Sequence, residues 1–214
     1  TRIEYREHDP VRGKAIIQEH DGRYLIVNPP MMPLETKELD RVAELPYVRT
    51  YHPMYEAEGG VPAIEEVRFS VIHNRGCFGG CAFCTISAHQ GKHIASRSKS
   101  SILREVAEIE KMPDFKGYIS DLGGPSANMY AMRGHDLEAC RKCLRPSCLH
   151  PQPCPNLNND HSRLLDIYHA VDSRKAIKKS FIGSGVRYDL AFAHNKNNEV
   201  NSANRRYLEE LITD

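Results

Sequence analysis

Residues 67–84 read VRFSVIHNRGCFGGCAFC, and this stretch decides how the rest of the chain is understood. Val67–Ile72 is a strand candidate, rich in β-branched and aromatic residues. Behind it three cysteines follow in the spacing C-x3-C-x2-C, as Cys77, Cys81 and Cys84, with the aromatic Phe83 directly before the third. Three thiolates within eight residues can wrap one face of a [4Fe-4S] cube and leave the fourth iron without a protein ligand. An open coordination position implies chemistry or a small-molecule ligand. Gly76, Gly79 and Gly80 let the backbone turn tightly and approach the sulfides closely. The blander alternatives are three buried cysteines in a glycine-rich loop, or a zinc site completed by His73 or His89. Zinc sites usually set their ligands in separated pairs, unlike this run.

Downstream, Ser100 or Ser101 can cap a helix whose Ile102, Val106 and Ile109 share a face, and Pro113 stops it. Its charges, Arg104, Glu105, Glu108 and Lys111, read as a solvated face. Gly117–Asp121 reads as a second strand, ending in Gly123-Gly124-Pro125. After an irregular insertion over 123–160, Asn159 or Asp160 can cap a helix with Leu164, Leu165, Tyr168 and Val171 on one face. Ser180–Gly185 reads as a third strand, and a last helix begins near Ser202, with Leu208, Leu211 and Ile212 apolar. This alternation predicts an α/β fold of parallel βαβ units. About three units cannot close an eight-stranded barrel. They would form half of a six-unit partial barrel over 67–214.

Upstream, residues 1–66 read as an irregular arm. Ala15–Gln18 and Tyr24–Val27 flank the turn signal Asp21-Gly22, which predicts a small hairpin. Pro29, Pro30, Pro33, Pro46, Pro53 and Pro62 suit an extended segment lying over another domain, with one short helix near Lys37–Ala43. The chain opens on Thr1 rather than Met and stops at Asp214 after a last helix, so it reads as a piece of something longer.

Composition narrows the function classes. With 29 Lys and Arg against 28 Asp and Glu, the chain has no broad electrostatic pull towards nucleic acid or anionic membrane. No apolar run reaches spanning length and no signal-peptide pattern is present, so the chain reads as soluble and cytoplasmic. All seven cysteines lie between residues 77 and 154, an odd number in tight clusters. In a cytoplasmic setting that favours metal ligation over disulfides.

The first cysteine segment resembles the radical S-adenosylmethionine (SAM) superfamily, whose motif is C-x3-C-x-Φ-C with Φ aromatic. Every position of it is present here. The resemblance implies that Phe83 packs on the adenine of SAM and that the open iron binds the methionine amino and carboxylate groups. A reduced cluster would give one electron to SAM and cleave a carbon–sulfur bond. The resulting 5′-deoxyadenosyl radical would abstract hydrogen from a substrate the sequence does not name. SAM and an electron donor are the implied partners.

Longer stretches resemble the YgiQ family: Arg75 to Cys81, Ser120 to Pro125, Ala127 to Tyr130, Cys154 to Asn158, Ser184 to Leu190, and, in the arm, Arg23-Tyr24-Leu25 and Asn28-Pro29-Pro30. Members of that family are larger than this chain, so the expected fold is a truncated partial barrel of radical SAM type. Such a piece is expected to bind its cluster without turning over, and to expose a strand edge after Ser180–Gly185. Many radical SAM enzymes end the second strand with a Gly-Gly-Glu-like segment that binds the SAM amino group. Here Pro125 follows Gly123-Gly124, so the backbone carbonyls of Leu122 to Gly124 would take that role. A plain Gly-Pro turn would look the same. Arg187, after the third strand, could meet the SAM carboxylate or a substrate anion, or pair with Asp189.

The other cysteines, Cys140, Cys143, Cys148 and Cys154, are spaced C-x2-C-x4-C-x5-C among Pro146, Pro151, Pro153 and Pro155. Four thiolates in a proline-rich stretch poor in apolar residues look like a loop folded around a metal. Zinc and an auxiliary [4Fe-4S] cluster both fit, and disulfides or free thiols are the alternative. His89 and His93 are placed on the loop after the first cysteines. The functional expectation is a radical SAM enzyme. Its rival is a non-catalytic zinc- or iron–sulfur-binding structural or redox module.

Overall fold

A hairpin, three helices and a short 3-10 turn make up the arm. The structure, a computed structural model, describes residues 2–213; Thr1 and Asp214, the two ends at which the sequence reads as cut, lie outside the described residues. A first helix, α1 (Arg2–Glu7), leads into the hairpin β1 (Ile16–His20) and β2 (Arg23–Val27), paired antiparallel from Ile16↔Val27 to His20↔Arg23. Asp21 (φ 47°) and Gly22 (φ 72°) both adopt the left-handed conformation, as a two-residue hairpin turn matched to strand twist requires. The hairpin leaves Ile17, Tyr24 and Ile26 exposed. Next come α2 (Thr36–Ala43), a 3-10 turn over Pro53–Glu58, and α3 (Ile64–Val67).

The strand expected from Val67 begins three residues later, as β3 (Ser70–Ile72). Val67 closes α3, and Ser70 Oγ donates back to its carbonyl at 2.6 Å. Then follow β4 (Asn74–Arg75), the cysteine loop, α4 (Ile86–His89) and β5 (Ala95–Ser96), which pairs antiparallel with β4. The cap of α5 (Lys99–Ile109) is Ser98, not Ser100 or Ser101: its Oγ accepts from Ser101 N, and its own N–H donates to Asp40 Oδ1 of α2 at 2.8 Å. Ile102, Val106 and Ile109 are fully buried, as their spacing predicts.

The second strand is split at Ser120 into β6 (Tyr118–Ile119) and β7 (Asp121–Gly123). β7 runs parallel to β3, while β6 runs parallel to the last strand, β10 (Lys179–Ser180). Between them lie a small ladder of β8 (Arg133–Gly134) and β9 (Leu157–Asn158), the helix α6 (Leu137–Lys142), and α7 (Ser162–Asp172). The parallel order is thus β3, β6–β7, β10, with α5 and α7 as the crossovers, and the described residues form no closed barrel. The result is a mixed α/β arrangement of small two-stranded sheets.

The third strand is shorter than expected. After Phe181 the chain leaves the ladder because Asp121 captures it: Oδ1 accepts the Gly183 and Ser184 amides at 2.9 and 3.1 Å. Two last helices, α8 (Tyr188–Phe192) and α9 (Asn198–Thr213), close the described chain. α8 was not expected from the sequence. α9 begins four residues before Ser202, where Asn197 Oδ1 accepts the Glu199 amide. Leu208 and Leu211 pack on the core, but Ile212 is exposed. α7 starts at Ser162, behind Asp160, whose Oδ1 accepts the Ser162 amide.

The main core lies between the parallel strands and α5, α7 and α9, with Val71, Ile119, Leu122, Leu164, Ile167 and Tyr207 at its centre. Glu105, expected on a solvated face, is largely buried and paired with both Arg97 and Arg49. Arg49 comes from the arm, so an arm cation offsets the desolvation that a lone Arg97–Glu105 pair would suffer. No helix among the described residues is long and apolar enough to cross a membrane.

Candidate metal and cofactor site

The parallel strands all point their C-terminal ends the same way, and three chain segments leave from that end. They are the cysteine loop beyond β3 and β4, the Gly123-Gly124-Pro125 turn beyond β7, and the stretch 181–187 beyond β10. Open α/β sheets bind ligands at these strand ends.

The cysteine loop is held from both sides. Gly76 N donates to Gln90 Oε1 and Cys77 N to Gly91 O at 3.0 Å, while Ser87 Oγ donates to Cys77 O at 2.7 Å. Cys84 N donates to Cys81 O, which closes a turn around Ala82 and Phe83. Cys77 and Phe78 pack with Met129, Met132, Leu149 and Leu190 in a second apolar cluster under the loop. Cys77 is buried, Cys81 and Cys84 half-buried, and Phe83 is 92% exposed with its ring free. Burial pushes the Cys77 thiol up, and the neighbouring Cys81 and Cys84 add to that effect, while a Gly79 N–H and Arg187 oppose it.

Gly79 lies over this group. A Cβ there would come 3.1 Å from Arg187 Nη1, 3.3 Å from Cys77 Sγ and 3.6 Å from Cys81 Sγ. Only a glycine lets two sulfurs and a guanidinium close this tightly over the backbone at residue 79. That donor set fits an iron–sulfur cluster, with thiolates to hold iron and a fixed cation beside a net-negative centre. Among the described residues no three His, Cys, Asp or Glu side chains are placed to hold a single metal ion. His73 does not complete a zinc set; its buried ring packs edge-on against Tyr130, 5.3 Å between centroids.

Arg187 donates to Cys81 Sγ at 3.0 Å from Nη1, and its Nε and Nη2 hold Asp189. Asp189 is the main cause of its raised pKa. Asn128 pins its backbone, accepting from Arg187 N at 2.8 Å and donating to Arg187 O at 2.9 Å. Asn128 also donates to His161 Nε2 at 3.0 Å, and His161 Nδ1 lies 2.6 Å from Asn204 Oδ1 of α9. This places the ring proton on Nδ1, the neutral tautomer, in keeping with the lowered pKa that burial gives His161.

Gly123 and Gly124 are tightly fenced. A Cβ on Gly123 would fall 2.2 Å from Ser184 Oγ, and one on Gly124 2.6 Å from Asn74 Oδ1. The Gly123 carbonyl already accepts from His73 N at 2.8 Å. His73 and Asn74 are fully buried, and neither side chain has a hydrogen-bond partner in good geometry. Burial lowers His73 from an ordinary 6.5 to about 4. The unfolded chain thus takes up a proton below the ordinary value, while the folded chain resists until about 4. Stability is then full above the ordinary value and falls with pH through that window, by about 2 kcal/mol between pH 7 and pH 5. Chemical denaturation at the two pH values measures this, and His73→Phe should flatten the dependence; an unchanged slope would assign it to other groups.

The four other cysteines gather at a second place, on the loop between β8 and β9. This loop leans on the first. Cys148 N donates to Phe78 O at 3.0 Å, and Ser147 Oγ to Gly79 O at 2.7 Å. Burial, with the neighbouring cysteines, pushes Cys148 up to about 11. All seven cysteines are free. Ser87 and Ser147 went unremarked in the sequence, Ser147 because it sits 68 residues along the chain from the Gly79 carbonyl it holds. Two surface depressions, one beneath residues 43–49 and one between the starts of α7 and α9, include none of the cysteines.

Residues 1–70 match the family described as Radical SAM N-terminal. A UPF0313 protein of Bacteroides thetaiotaomicron is 57% identical over 206 residues, covering 96% of this chain and 33% of that protein. One of Porphyromonas gingivalis is 54% identical over 197 residues (92% and 31%), and one of Methanocella arvoryzae 50% over 187 (87% and 31%). The chain belongs to the radical SAM family. The YgiQ-like radical SAM proteins expected from the motifs are the ones these comparisons bring out, under the name UPF0313. The radical SAM chain spans about a third of the length of these relatives. No solved structure matches it. Membership implies a [4Fe-4S] cluster and SAM for the family's chemistry, and the donor set around Gly79 fits the first of these.

Proposed function

We propose that this chain forms the cluster-holding part of a radical SAM enzyme, with Cys77, Cys81 and Cys84 as the ligands of a [4Fe-4S] cluster. The observation that carries the reading is the convergence of Cys77 Sγ, Cys81 Sγ and the Arg187 guanidinium over Gly79. When bound, the cluster and SAM supply the one-electron cleavage of a carbon–sulfur bond that yields a 5′-deoxyadenosyl radical.

The chain's own residues bind, orient and shield. Cys77 is fixed by the apolar floor of Phe78, Met129 and Leu190. Arg187, held by Asp189 and Asn128, keeps a positive charge at the Cys81 sulfur. Phe83 offers an aromatic face for the SAM adenine, and its exposure leaves that face accessible. Gly123 and Gly124 line the neighbouring strand end, where unfilled carbonyl lone pairs can take the SAM amino group.

Phe83→Ala tests the reading. So exposed a ring contributes little to folding, so iron content and melting temperature should stay near wild type. SAM affinity, measured by equilibrium dialysis under anaerobic conditions, should fall roughly tenfold, about the loss of one stacking contact. Unchanged affinity would remove Phe83 from the site.

A further inference from the structure

The loop from His135 to Asn156 has an unusual interior. Its half-buried residues are the four cysteines, Arg145 and Asn156, and its buried residues are Ser147 and Leu149. Every other residue in it is exposed, Leu137 and Leu144 included. A loop ordinarily folds inward on apolar side chains; this one folds inward on sulfur.

The backbone gathers those sulfurs in two steps. Cys143 N donates to Cys140 O at 3.1 Å, and Cys154 N to Cys148 O at 2.7 Å, so each pair is drawn together by a turn. The β8–β9 ladder then closes the base of the loop. Cys140 Sγ is seated at that base over Gly134, where a Cβ would come within 2.2 Å of it. Asn156 Nδ2 donates to the same sulfur at 3.3 Å and ties the base again through both the N–H and the carbonyl of Asp136. That N–H opposes the burial and the neighbouring cysteines, which push the Cys140 thiol up. Two cations converge on the Cys143 carbonyl: Arg12 of the arm at 3.1 Å and Lys92 at 3.1 Å. Cations at the rim suit a centre of net negative charge.

We propose that Cys140, Cys143, Cys148 and Cys154 hold a second iron–sulfur cluster, fully ligated by protein. A four-iron cube takes each thiolate on its own iron and so accepts a wider set than the tetrahedron around zinc. With four thiolates it has no open iron, so it orders its loop and passes electrons but does not bind SAM. Its place in the fold gives it a further effect. Ser147 and Cys148 hold the backbone of Phe78 and Gly79, and the Gly80 Cα lies under Pro146 O, where a Cβ would come within 2.8 Å. The metal that orders the second loop therefore also braces the first.

The assignment is independent of the reading of Cys77, Cys81 and Cys84, and two variants separate them. Protein purified and reconstituted without oxygen should carry about eight irons per chain. The C77A/C81A/C84A variant should keep about four, with a reduced-cluster EPR signal after dithionite. The C148A/C154A variant should lose the other set. One zinc in place of iron in C77A/C81A/C84A would overturn the assignment to iron; no metal there, with all four thiols alkylated at once, would overturn the site. If C148A/C154A loses all iron while C77A/C81A/C84A loses none, the first reading fails and this one stands. Because either variant could misfold, alkylation of the unchanged protein is mapped by mass spectrometry before and after chelator treatment. Cys140, Cys143, Cys148 and Cys154 should be protected only before; full labelling of the metal-loaded protein at these four positions would sink the proposal.

Discussion

Replacing Cys77, Cys81 and Cys84 together with alanine is expected to abolish reductive SAM cleavage and to remove the iron they hold, while the main core stays folded. On the proposed reading the effect is all-or-none, because three thiolates would be the protein's hold on that cluster and losing one would leave two. The fold should survive because the loop is tied by other groups. Ser87 Oγ holds Cys77 O, Gln90 Oε1 holds Gly76 N, and Phe78 is packed against Met129 and Met132. Deleting three sulfur atoms touches none of those ties. Anaerobic iron analysis, 5′-deoxyadenosine assayed in the full-length protein, and a denaturant melt together check it. Iron and 5′-deoxyadenosine both at wild-type levels in the triple variant would show that these cysteines are not the ligands.

Gly76→Ala should do comparable damage without touching a sulfur. Gly76 has φ 88°, where an L side chain is strained by roughly 1–2 kcal/mol. A Cβ there would also stand 2.1 Å from the His93 carbonyl oxygen. That oxygen is backbone, so no rotamer change relieves the overlap; the segment 91–93 or the start of the cysteine loop must move. Either movement breaks Cys77 N to Gly91 O. The variant should lose at least 2–3 kcal/mol of stability, about the strain and hydrogen-bond losses combined, and most of the first cluster's iron. A melting temperature and iron content equal to wild type would mean the loop is far softer than its contacts imply. Gly91→Ala is the matched control: it too has positive φ, but nothing lies within 4 Å of its Cβ position.

Much of this arrangement could be read in the order of residues, and the reasons differ from part to part. The hairpin was legible because Asp21-Gly22 is a local signal that names its own turn. The buried face of α5 was legible because Ile102, Val106 and Ile109 repeat at helical spacing. The tight turning of the first cysteine loop was legible because Gly76 and Gly80, both at positive φ, stand in it. What escaped was set by partners distant in the chain. Ser98 caps α5 rather than Ser100 because Asp40, from the arm, holds its amide. The third strand stops early because Asp121, sixty residues back, takes the Gly183 and Ser184 amides. Glu105 looked like a surface charge until Arg49 and Arg97 closed on it. Pro125, standing where the family has a carboxylate, said only that a ligand for the SAM amino group must be sought elsewhere.

The side chains Asn204, His161 and Asn128 form an unbroken line from α9 to the backbone of Arg187, whose guanidinium ends at Cys81 Sγ. Coulomb energy varies inversely with separation, so at a contact of about 3 Å a shift of a few tenths of an ångström alters the interaction by roughly a tenth. The seating of the last helix is thereby mechanically geared to the electrostatics at a single sulfur. The neutral imidazole keeps that line engaged: were His161 to gain a second proton, Nε2 would cease to accept from Asn128, and the last helix would reach Arg187 only through its packing on α8.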